Sequence, residues 1–268
     1  MPTLEQAIAD ICGQTVRGSE RLVGGDITGA SRIILSDGST LVAKGGPLVD
    51  REARMLTAIG ALGAPVPAIV GQKDDWLVLE DLGPSRPLDG PAWDSIAEAL
   101  DPLRGAPPNE DFGWPDDYGS HRVRVSNARQ SSWVDFWREN RLLCHLPELA
   151  PQLARRVEAL AARLGDLIPD HPPVALVHGD LWGGNVVWNG SRACLIDPCA
   201  YYGDREVDAA AMTVFDRPPK ALFDRLDLAP GWRERLPVYR LWLWLIHIRL
   251  FGEGYRPAAE GDLDRLGF

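Results

Sequence analysis

Residues 174–188 read Val-Ala-Leu-Val-His-Gly-Asp-Leu-Trp-Gly-Gly-Asn-Val-Val-Trp, a polar segment enclosed by two apolar runs. Apolar runs of this kind are typical of buried strands. The segment between them carries Asp180 and Asn185, and a further apolar run at 193–196 ends in Asp197. Hard oxygen ligands in small number are what Mg²⁺ uses when it also binds substrate phosphates. The sequence therefore predicts a magnesium–phosphate site built on short buried segments.

The composition limits the classes of protein to consider. The chain has 268 residues and is 45% apolar, which suffices for one large domain or two lobes. Its formal net charge of −10 argues against non-specific binding to nucleic acid or anionic membranes, because both need a basic surface. The four cysteines show no metal-binding spacing, and the N-terminal segment lacks the apolar run of a signal peptide. We expect a cytoplasmic protein with no nucleic-acid or membrane partner.

The order of the predicted elements indicates an α+β protein with two lobes. The segment 1–82 is predicted to hold a capped N-terminal helix, antiparallel strands near residues 21–23, 31–35, 40–44, 68–70 and 76–79, and a helix at 50–59 that Asp50 caps. The segment 83–268 is predicted to be mainly helical, with helices at 91–103, 132–143, 151–164, 205–214, 220–226 and 237–251. We place the lobe boundary after Leu82, where Gly and Pro form a natural linker.

Asp180, Asn185 and Asp197 match the needs of phosphoryl transfer from ATP, which depends on positioning and charge neutralisation. In the His-x-Asp-x-x-x-x-Asn pattern that begins at His178, the Asp accepts the proton of the acceptor hydroxyl and the Asn binds a metal ion. Asp197 is predicted to bridge magnesium to the phosphates. Taken singly, each residue fits an ordinary turn or cap, so their order between buried strands carries the prediction. Residues 178–185 are called the catalytic loop below.

Lys44 and Glu52 have the arrangement of a phosphate-binding pair. Lys44 ends the apolar strand 41–43, and Glu52 lies in the first turns of the helix that follows. In kinases a strand Lys holds the α- and β-phosphates and a helix Glu holds the Lys. By itself the pair also fits a solvated strand end and an acid near a helix N-terminus. The Asp180 pattern favours the phosphate-binding interpretation.

Further segments are candidates for binding the nucleotide or shaping the catalytic loop. Gly24 and Gly25 belong to a turn whose backbone amides can bind phosphate, although an ordinary hairpin explains the same residues. Glu80 and Leu82 follow a strand expected beside the third one, where main-chain groups can pair with the adenine edge. Asp208 starts a helix and is predicted to hold backbone amides of the catalytic loop, with simple helix-start acidity as the alternative.

Three motifs carry a resemblance that extends over nearly the full chain. They are Val-His-Gly-Asp-Leu-Trp-Gly-Gly-Asn-Val at 177–186, Ile-Asp-Pro at 196–198 and Tyr-Tyr-Gly-Asp-Arg-Glu-Val-Asp at 201–208. These motifs resemble the fructosamine kinase (ketosamine-3-kinase) family, which belongs to the protein-kinase-like superfamily with aminoglycoside phosphotransferases and choline kinases. The resemblance implies a bilobal protein-kinase-like fold, with a small antiparallel-sheet N-lobe holding one helix and a larger, mainly helical C-lobe.

The resemblance also implies an activity. Members of the family use ATP and Mg²⁺ to phosphorylate a sugar hydroxyl, typically O3, of ketosamines such as ribulosamine, erythrulosamine or fructosamine. The acceptor is a small sugar amine or a glycated protein, and phosphorylation makes the adduct unstable, so the implied role is protein deglycation. By matching positions, Lys44 and Glu52 become the phosphate-binding pair and Asp180 becomes the base. Asn185 and Asp197 become the metal ligands.

The chain departs from the family pattern at three places. Residues 115–119 read Pro-Asp-Asp-Tyr-Gly, where many members have Asp-Asn-x-Ile-Gly near the sugar. Leu-Arg-Gly at 103–105 replaces a family His, and Asp26 stands where some members carry a redox-responsive Cys. We therefore expect a monomer rather than a dimer, while the acceptor preference stays open.

Two alternatives to a ketosamine kinase follow from the residues. One is a kinase for another hydroxyl acceptor, such as an aminoglycoside or amino alcohol, for which Asp111, Asp116 and Asp117 supply negative charge. The other is a catalytically weak, ATP-binding pseudokinase-like module. The complete set of predicted catalytic residues argues against the second alternative, because a binding module does not need the base.

Overall fold

The computed structural model describes residues 3–22, 29–105, 111–119 and 123–268. The chain divides into two compact units, one made of residues 1–99 and 184–198 and the other of residues 100–183 and 199–268. The first unit thus includes a segment that returns to it late in the chain. The functional division after Leu82 stays a prediction.

Strands and helices alternate early in the chain, and helices dominate later. The strands are β1 (Val16–Arg21), β2 (Ala30–Leu35), β3 (Thr40–Gly45), β4 (Ile69–Lys73), β5 (Trp76–Glu80), β6 (Tyr118–Gly119), β7 (Arg124–Val125), β8 (Val174–Val177), β9 (Val186–Trp188), β10 (Ala193–Leu195) and β11 (Tyr201–Asp204). The α-helices are α1 (Leu4–Cys12), α2 (Val49–Ala61), α3 (Gly90–Leu100), α4 (Trp133–Trp137), α5 (Pro151–Ala162), α6 (Glu206–Phe215), α7 (Lys220–Arg225), α8 (Trp232–Phe251) and α9 (Arg256–Leu266).

The first unit is built on an antiparallel sheet with the strand order β1-β2-β3-β5-β4, which confirms the predicted sheet. The first strand begins at Val16 and ends at Arg21, whereas the sequence predicts it near 21–23. This strand lies at the edge of the sheet and most of its side chains are exposed. An exposed edge strand needs no apolar alternation, so the periodicity gives no signal for it.

Helix α2 packs on the central strands and brings one acid into the interior. Val49 and Leu56 of α2 pack with Leu77 and Leu79 of β5. Glu52 lies three residues after Val49 and four before Leu56, so it shares their inward face. It is only 1% exposed. The helix spacing therefore buries a carboxylate beside the sheet.

The helix starts agree only in part with the sequence. Thr3 and Gln6 form the predicted capping box of α1. The predicted cap of α2, Asp50, is wrong, because the helix begins at Val49 and its N-cap is Leu48, which makes no side-chain cap bond. Asp50 lies in the first turn and accepts a 3.0 Å hydrogen bond from Arg54, four residues on.

A late hairpin completes the first unit. Strands β9 and β10 pair antiparallel, with Trp188 opposite Ala193. The Ala193 N–H donates to Ser95 Oγ at 2.9 Å, and the Leu195 N–H donates to the Pro65 carbonyl at 2.8 Å. The Trp188 N–H donates to Ser85 Oγ at 3.1 Å. These bonds hold the residues that flank β9 and β10, including the predicted metal ligands, on the first unit.

The second unit surrounds an aromatic core. Trp133, Phe136 and Trp137 are fully buried and pack with Tyr201 of β11 and Tyr239 of α8. Strand β11 pairs antiparallel with β8, so this core supports the strand that leads into the catalytic loop.

Two helical predictions for the second unit are corrected. Helix α8 begins at Trp232, five residues before the predicted start, and Pro237 lies inside it. A proline favours the first turn of a helix, which is why the sequence suggested a start there, but longer helices also accommodate it. The predicted helix 132–143 keeps its α-helical form only to Trp137 and continues as a π-turn over 138–142. Helix α9 was not predicted. Across the described ranges, no helix is long and apolar enough to cross a membrane.

Candidate active site

A buried lysine in the first unit contacts two carboxylates. Lys44 lies on β3 between Ala30 of β2 and Leu77 of β5, and is 3% exposed. Its Nζ is 2.5 Å from Oε1 of Glu52, and it also contacts Oδ1 of Asp197. The structure thus brings together three of the predicted site residues.

The two acids keep the buried lysine charged. Burial alone lowers the pKa of Lys44, but the charges of Glu52 and Asp197 and their hydrogen bonds raise it by more, so the net shift is upward. A charged ammonium between these two side chains places a positive charge at a defined position in the first unit. Such a cation can also bind a phosphate if one of its two carboxylate partners turns to a ligand.

Asn185 and Asp197 lie at neighbouring strand ends. Asn185 is buried immediately before β9, and its carbonyl accepts a 3.0 Å hydrogen bond from the Ile196 N–H. Asp197 follows β10 with φ of 55°, a left-handed conformation that is uncommon outside glycine. Strained backbone of this kind costs on the order of 1–3 kcal/mol and is concentrated at functional sites. The Asp197 side chain is 28% exposed, so it is accessible to a ligand.

The segment after β5 is fixed by an ion pair that the sequence did not reveal. Arg32 of β2 donates two hydrogen bonds to the Asp81 carboxylate, at 2.6 and 3.1 Å. Asp81 also accepts from the Gly83 N–H at 3.0 Å, and Arg32 lowers its pKa. Glu80 uses its carboxylate to bind the Ala68 N–H at 3.1 Å. Glu80 therefore fixes the chain before Leu82, and Asp81 fixes Gly83 after it.

Leu82 lies between Asp81 and Gly83 in this segment. Within the described part of the chain, its N–H and C=O form no hydrogen bond with another residue. A main-chain donor and acceptor in a fixed segment suit the edge of adenine. The glycine turn with Gly24 and Gly25 lies outside the described residues, so its contribution stays a prediction.

The second unit holds the start of the catalytic loop by its backbone. Asp208 of α6 accepts hydrogen bonds from the His178 N–H at 2.8 Å and the Gly179 N–H at 2.9 Å, which confirms its predicted role. The Cys199 N–H donates to the His178 carbonyl at 2.9 Å. Gly179 has φ of 80°, and a Cβ there would come within 2.2 Å of the Cys199 carbonyl. Asp180 follows this fixed turn and is partly exposed.

A second acid holds the loop further along. Gly183 donates its N–H to Oδ2 of Asp216 at 2.7 Å. Asp216 is the C-cap residue of α6. No spacing in the sequence indicated Asp216, because its bond partner lies 33 residues away. Asp208 and Asp216 thus bind the loop on both sides of Asp180 from the two ends of one helix.

The environment of Asp208 is apolar. Burial raises the pKa of Asp208 to about 7, against the opposing effect of the two backbone hydrogen bonds, and the charge of Asp180 adds to the increase. A buried carboxyl needs hydrogen-bond partners, because removing it from water is costly. Its role is therefore to organise the loop.

Replacing Asp208 by Ala is expected to lower the free energy of unfolding and kcat together. The change leaves the N–H groups of His178 and Gly179 unpaired, at about 1–3 kcal/mol for each unsatisfied group. Denaturant titration measures the loss of stability. The matched variant Asp208→Asn keeps an oxygen acceptor and is expected to lose less. Unchanged stability in Asp208→Ala would contradict the assignment of these bonds to loop support.

The loop at 112–119 is tied to strand β11, which pairs with the strand that leads into the catalytic loop. Gly113 and Tyr202 exchange two main-chain hydrogen bonds, at 2.9 and 3.0 Å. The Trp114 ring lies 5.8 Å from the Tyr202 ring. Asp117 accepts from the Asn127 N–H at 2.9 Å and pairs with Arg124. Asp117 therefore stabilises the conformation of this loop.

The predicted metal ligands, Asn185 and Asp197, carry oxygen donors of the kind that suits a metal ion shared with phosphates. Among the described residues, no cluster of three or more His, Cys, Asp or Glu side chains has the arrangement of a metal site. An ion bound by one carboxylate and one amide needs further oxygens from water and phosphates, as Mg²⁺ commonly has. Asn185 and Asp197 supply donors of that type.

The two-unit α+β fold, with a strand lysine bound to a helix glutamate and a supported loop that carries Asp180, defines a phosphotransferase of the protein-kinase-like class. A family model for fructosamine kinase matches residues 1–267, and the chain belongs to that family.

Named relatives agree with this placement. The chain is 31% identical to a probable ketoamine kinase of Synechocystis, over 96% of this chain and 94% of the relative. It is also similar to the crystal structure of a fructosamine-3-kinase homologue from Thermobifida fusca, with a TM-score of 0.86 and 29% identity over 98% of both chains. An aminoglycoside phosphotransferase shares the fold, with a TM-score of 0.65 at 16% identity over 98% of this chain and 97% of the other. These findings confirm the predicted family, fold class and enzyme class.

Proposed function

We propose that the chain transfers the γ-phosphoryl group of ATP to the O3 hydroxyl of a ketosamine, such as ribulosamine, erythrulosamine or fructosamine. The observation that carries the phosphoryl transfer is the contact of buried Lys44 with both Glu52 and Asp197, and the similarity to ketoamine kinases supports the choice of acceptor. The contact joins the predicted phosphate-binding cation to the predicted metal ligand. A binding module has no need for that contact together with a supported base.

Each residue has one task in the proposed reaction. Asp180 accepts the proton of the acceptor hydroxyl as the new O–P bond forms. Lys44, held by Glu52, neutralises the α- and β-phosphates. Asn185 and Asp197 hold Mg²⁺, which when bound neutralises charge on the transferred group.

The nucleotide is proposed to lie along the first unit. Leu82 offers its main-chain N–H and C=O to adenine, and Glu80 fixes the strand before it. Gly24 and Gly25 are proposed to cover the phosphates with backbone amides. In this proposal the protein is a cytoplasmic monomer, and its acceptors are small sugar amines or glycated proteins, as deglycation requires.

A screen across acceptors tests the proposed function. Thermal-shift titrations with ATP and MgCl₂ measure nucleotide binding, and a coupled ADP assay measures turnover with ribulosamine, erythrulosamine, fructosamine, an aminoglycoside and an amino alcohol. We expect stabilisation by ATP with Mg²⁺ and turnover only with ketosamines. Turnover only with the aminoglycoside or the amino alcohol would contradict the ketosamine proposal and favour a kinase for that acceptor. Binding without turnover on any acceptor would favour the pseudokinase-like module.

The acidic loop gives little support to an aminoglycoside acceptor. Such a polycation needs several free acids, and the sequence offers Asp111, Asp116 and Asp117 for them. Asp117 is bonded to Asn127 and Arg124, so its charge is already compensated. The ketosamine proposal needs only one acid near the amine.

A further inference from the structure

A carboxylate that no catalytic task explains lies beside the catalytic loop. Asp216 ends α6 and accepts the Gly183 N–H with Oδ2 at 2.7 Å. Gly183 is three residues after Asp180, so this carboxylate is attached directly to the loop that carries the base. The bond fixes the position of the carboxylate with one oxygen.

The other oxygen of Asp216 is available to a ligand. Among the described residues, no further hydrogen bond and no ion pair involves this carboxylate. The neighbouring Arg217 directs its guanidinium to the main-chain carbonyl of Asp216, at 2.8 Å. The nearby Lys220 is paired with Asp224 at 2.6 Å. Neither Arg217 nor Lys220 therefore forms an ion pair with the Asp216 carboxylate.

Aromatic residues adjoin both partners of this hydrogen bond in the chain, Phe215 before Asp216 and Trp182 before Gly183. Phe215 is 41% exposed, and its ring meets Trp182 of the catalytic loop edge-on at a centroid distance of 5.3 Å. His247 lies 5.1 Å from Phe215, and burial lowers its pKa, so it adds no positive charge near neutral pH. Aromatic faces attract cations, and a carboxylate can accept a charge-assisted hydrogen bond from an ammonium group. The combination is typical of sites that bind an ammonium group.

We infer that Asp216, with Trp182 and Phe215 beside it, binds the protonated amine nitrogen of the acceptor. The inference rests on the proposed function, because a ketosamine carries a secondary amine one carbon away from its ketose carbonyl. That amine is protonated near neutral pH and can donate to the second oxygen of Asp216. The residue therefore selects acceptors by the charge on this nitrogen.

Two acceptors that differ in that charge test the inference. One is a ketosamine of a simple aliphatic amine, and the other is its N-acetyl analogue, in which the nitrogen is neutral. Asp216→Asn keeps an oxygen for the Gly183 N–H and removes the charge. We expect kcat/KM to fall about 10–100-fold for the amine, the usual size for a lost charge-assisted hydrogen bond, and less than about threefold for the amide.

Matched controls separate recognition from loop support. Glu148→Gln removes an exposed acid elsewhere in the second unit and should leave both acceptors unaffected. The KM for ATP should not change in Asp216→Asn. An equal loss for both acceptors would show that Asp216 only supports the loop, and would overturn the inference.

Binding measured without turnover keeps the test independent of the proposed reaction. Titration of the ketosamine into the protein with ADP and Mg²⁺, followed by NMR, gives Kd for the natural chain and for Asp216→Asn. A weaker Kd in the variant supports the inference even if no phosphoryl transfer occurs, an outcome that contradicts the proposed function alone. The same Kd in both proteins, or no binding to the natural chain, contradicts the inference.

Discussion

The variant Asp180→Asn is expected to lower kcat by about 10²–10⁴-fold, the usual contribution of a positioned general base. The amide cannot accept the acceptor proton, while its size preserves the loop. The Asp208 carboxylate accepts hydrogen bonds from the N–H groups of His178 and Gly179. These bonds do not involve the Asp180 side chain, so the loop should keep its conformation. Steady-state kinetics at saturating ATP and acceptor measures the effect.

Two controls show whether the loss of kcat is specific to Asp180. The Kd for ATP should stay within about threefold of the natural chain, because the nucleotide-binding residues are unchanged. Asp224→Asn removes an exposed carboxylate paired with Lys220 in the same unit and should retain full activity. Turnover close to that of the natural chain in Asp180→Asn would remove the residue from its assigned role.

The variant Lys44→Met is expected to lose both stability and activity. It leaves the Glu52 carboxylate, which is 1% exposed, without its cation. Removing one partner of a buried ion pair costs roughly 3–5 kcal/mol. Loss of a cation on the phosphates is expected to reduce kcat by about 10²–10³-fold, as for other groups that stabilise charge in a transition state. Denaturant titration and steady-state kinetics measure the two effects.

The double variant Lys44→Met/Glu52→Leu separates them. Replacing a buried pair by apolar side chains of similar volume is often neutral or stabilising. We therefore expect most of the lost free energy of unfolding to return, while activity stays low. Recovery of activity along with stability would show that Lys44 acts only in the fold.

Local chemistry explains what the sequence could predict of the fold. The apolar strand before Lys44, the helix with Glu52 and the runs around residues 174–188 each carry their own periodicity, so they were predicted and are present. Strand β1 is an exposed edge strand, and no apolar pattern marks it. Helix α8 contains Pro237, a residue that local rules assign to a helix start.

Long-range contacts explain what the sequence missed at the site. The sequence did not predict the contact of Lys44 with Asp197, because 153 residues separate the two. Asp208 was found because it starts a helix close to the catalytic loop. Asp216 and the Arg32–Asp81 pair carry no local pattern and become visible only once the strands and helices are packed.

The position of the new phosphate ester tests the central proposal most directly. Ribulosamine is incubated with ATP, MgCl₂ and either the natural chain or Asp180→Asn, and the product is analysed by a ³¹P–¹H correlation spectrum. We predict a phosphomonoester coupled to the proton on C3 with the natural chain, and a much slower appearance of the same signal with the variant. A phosphate on another carbon, neither a phosphomonoester nor acceptor-dependent release of inorganic phosphate, or equal rates for the two proteins would contradict the account.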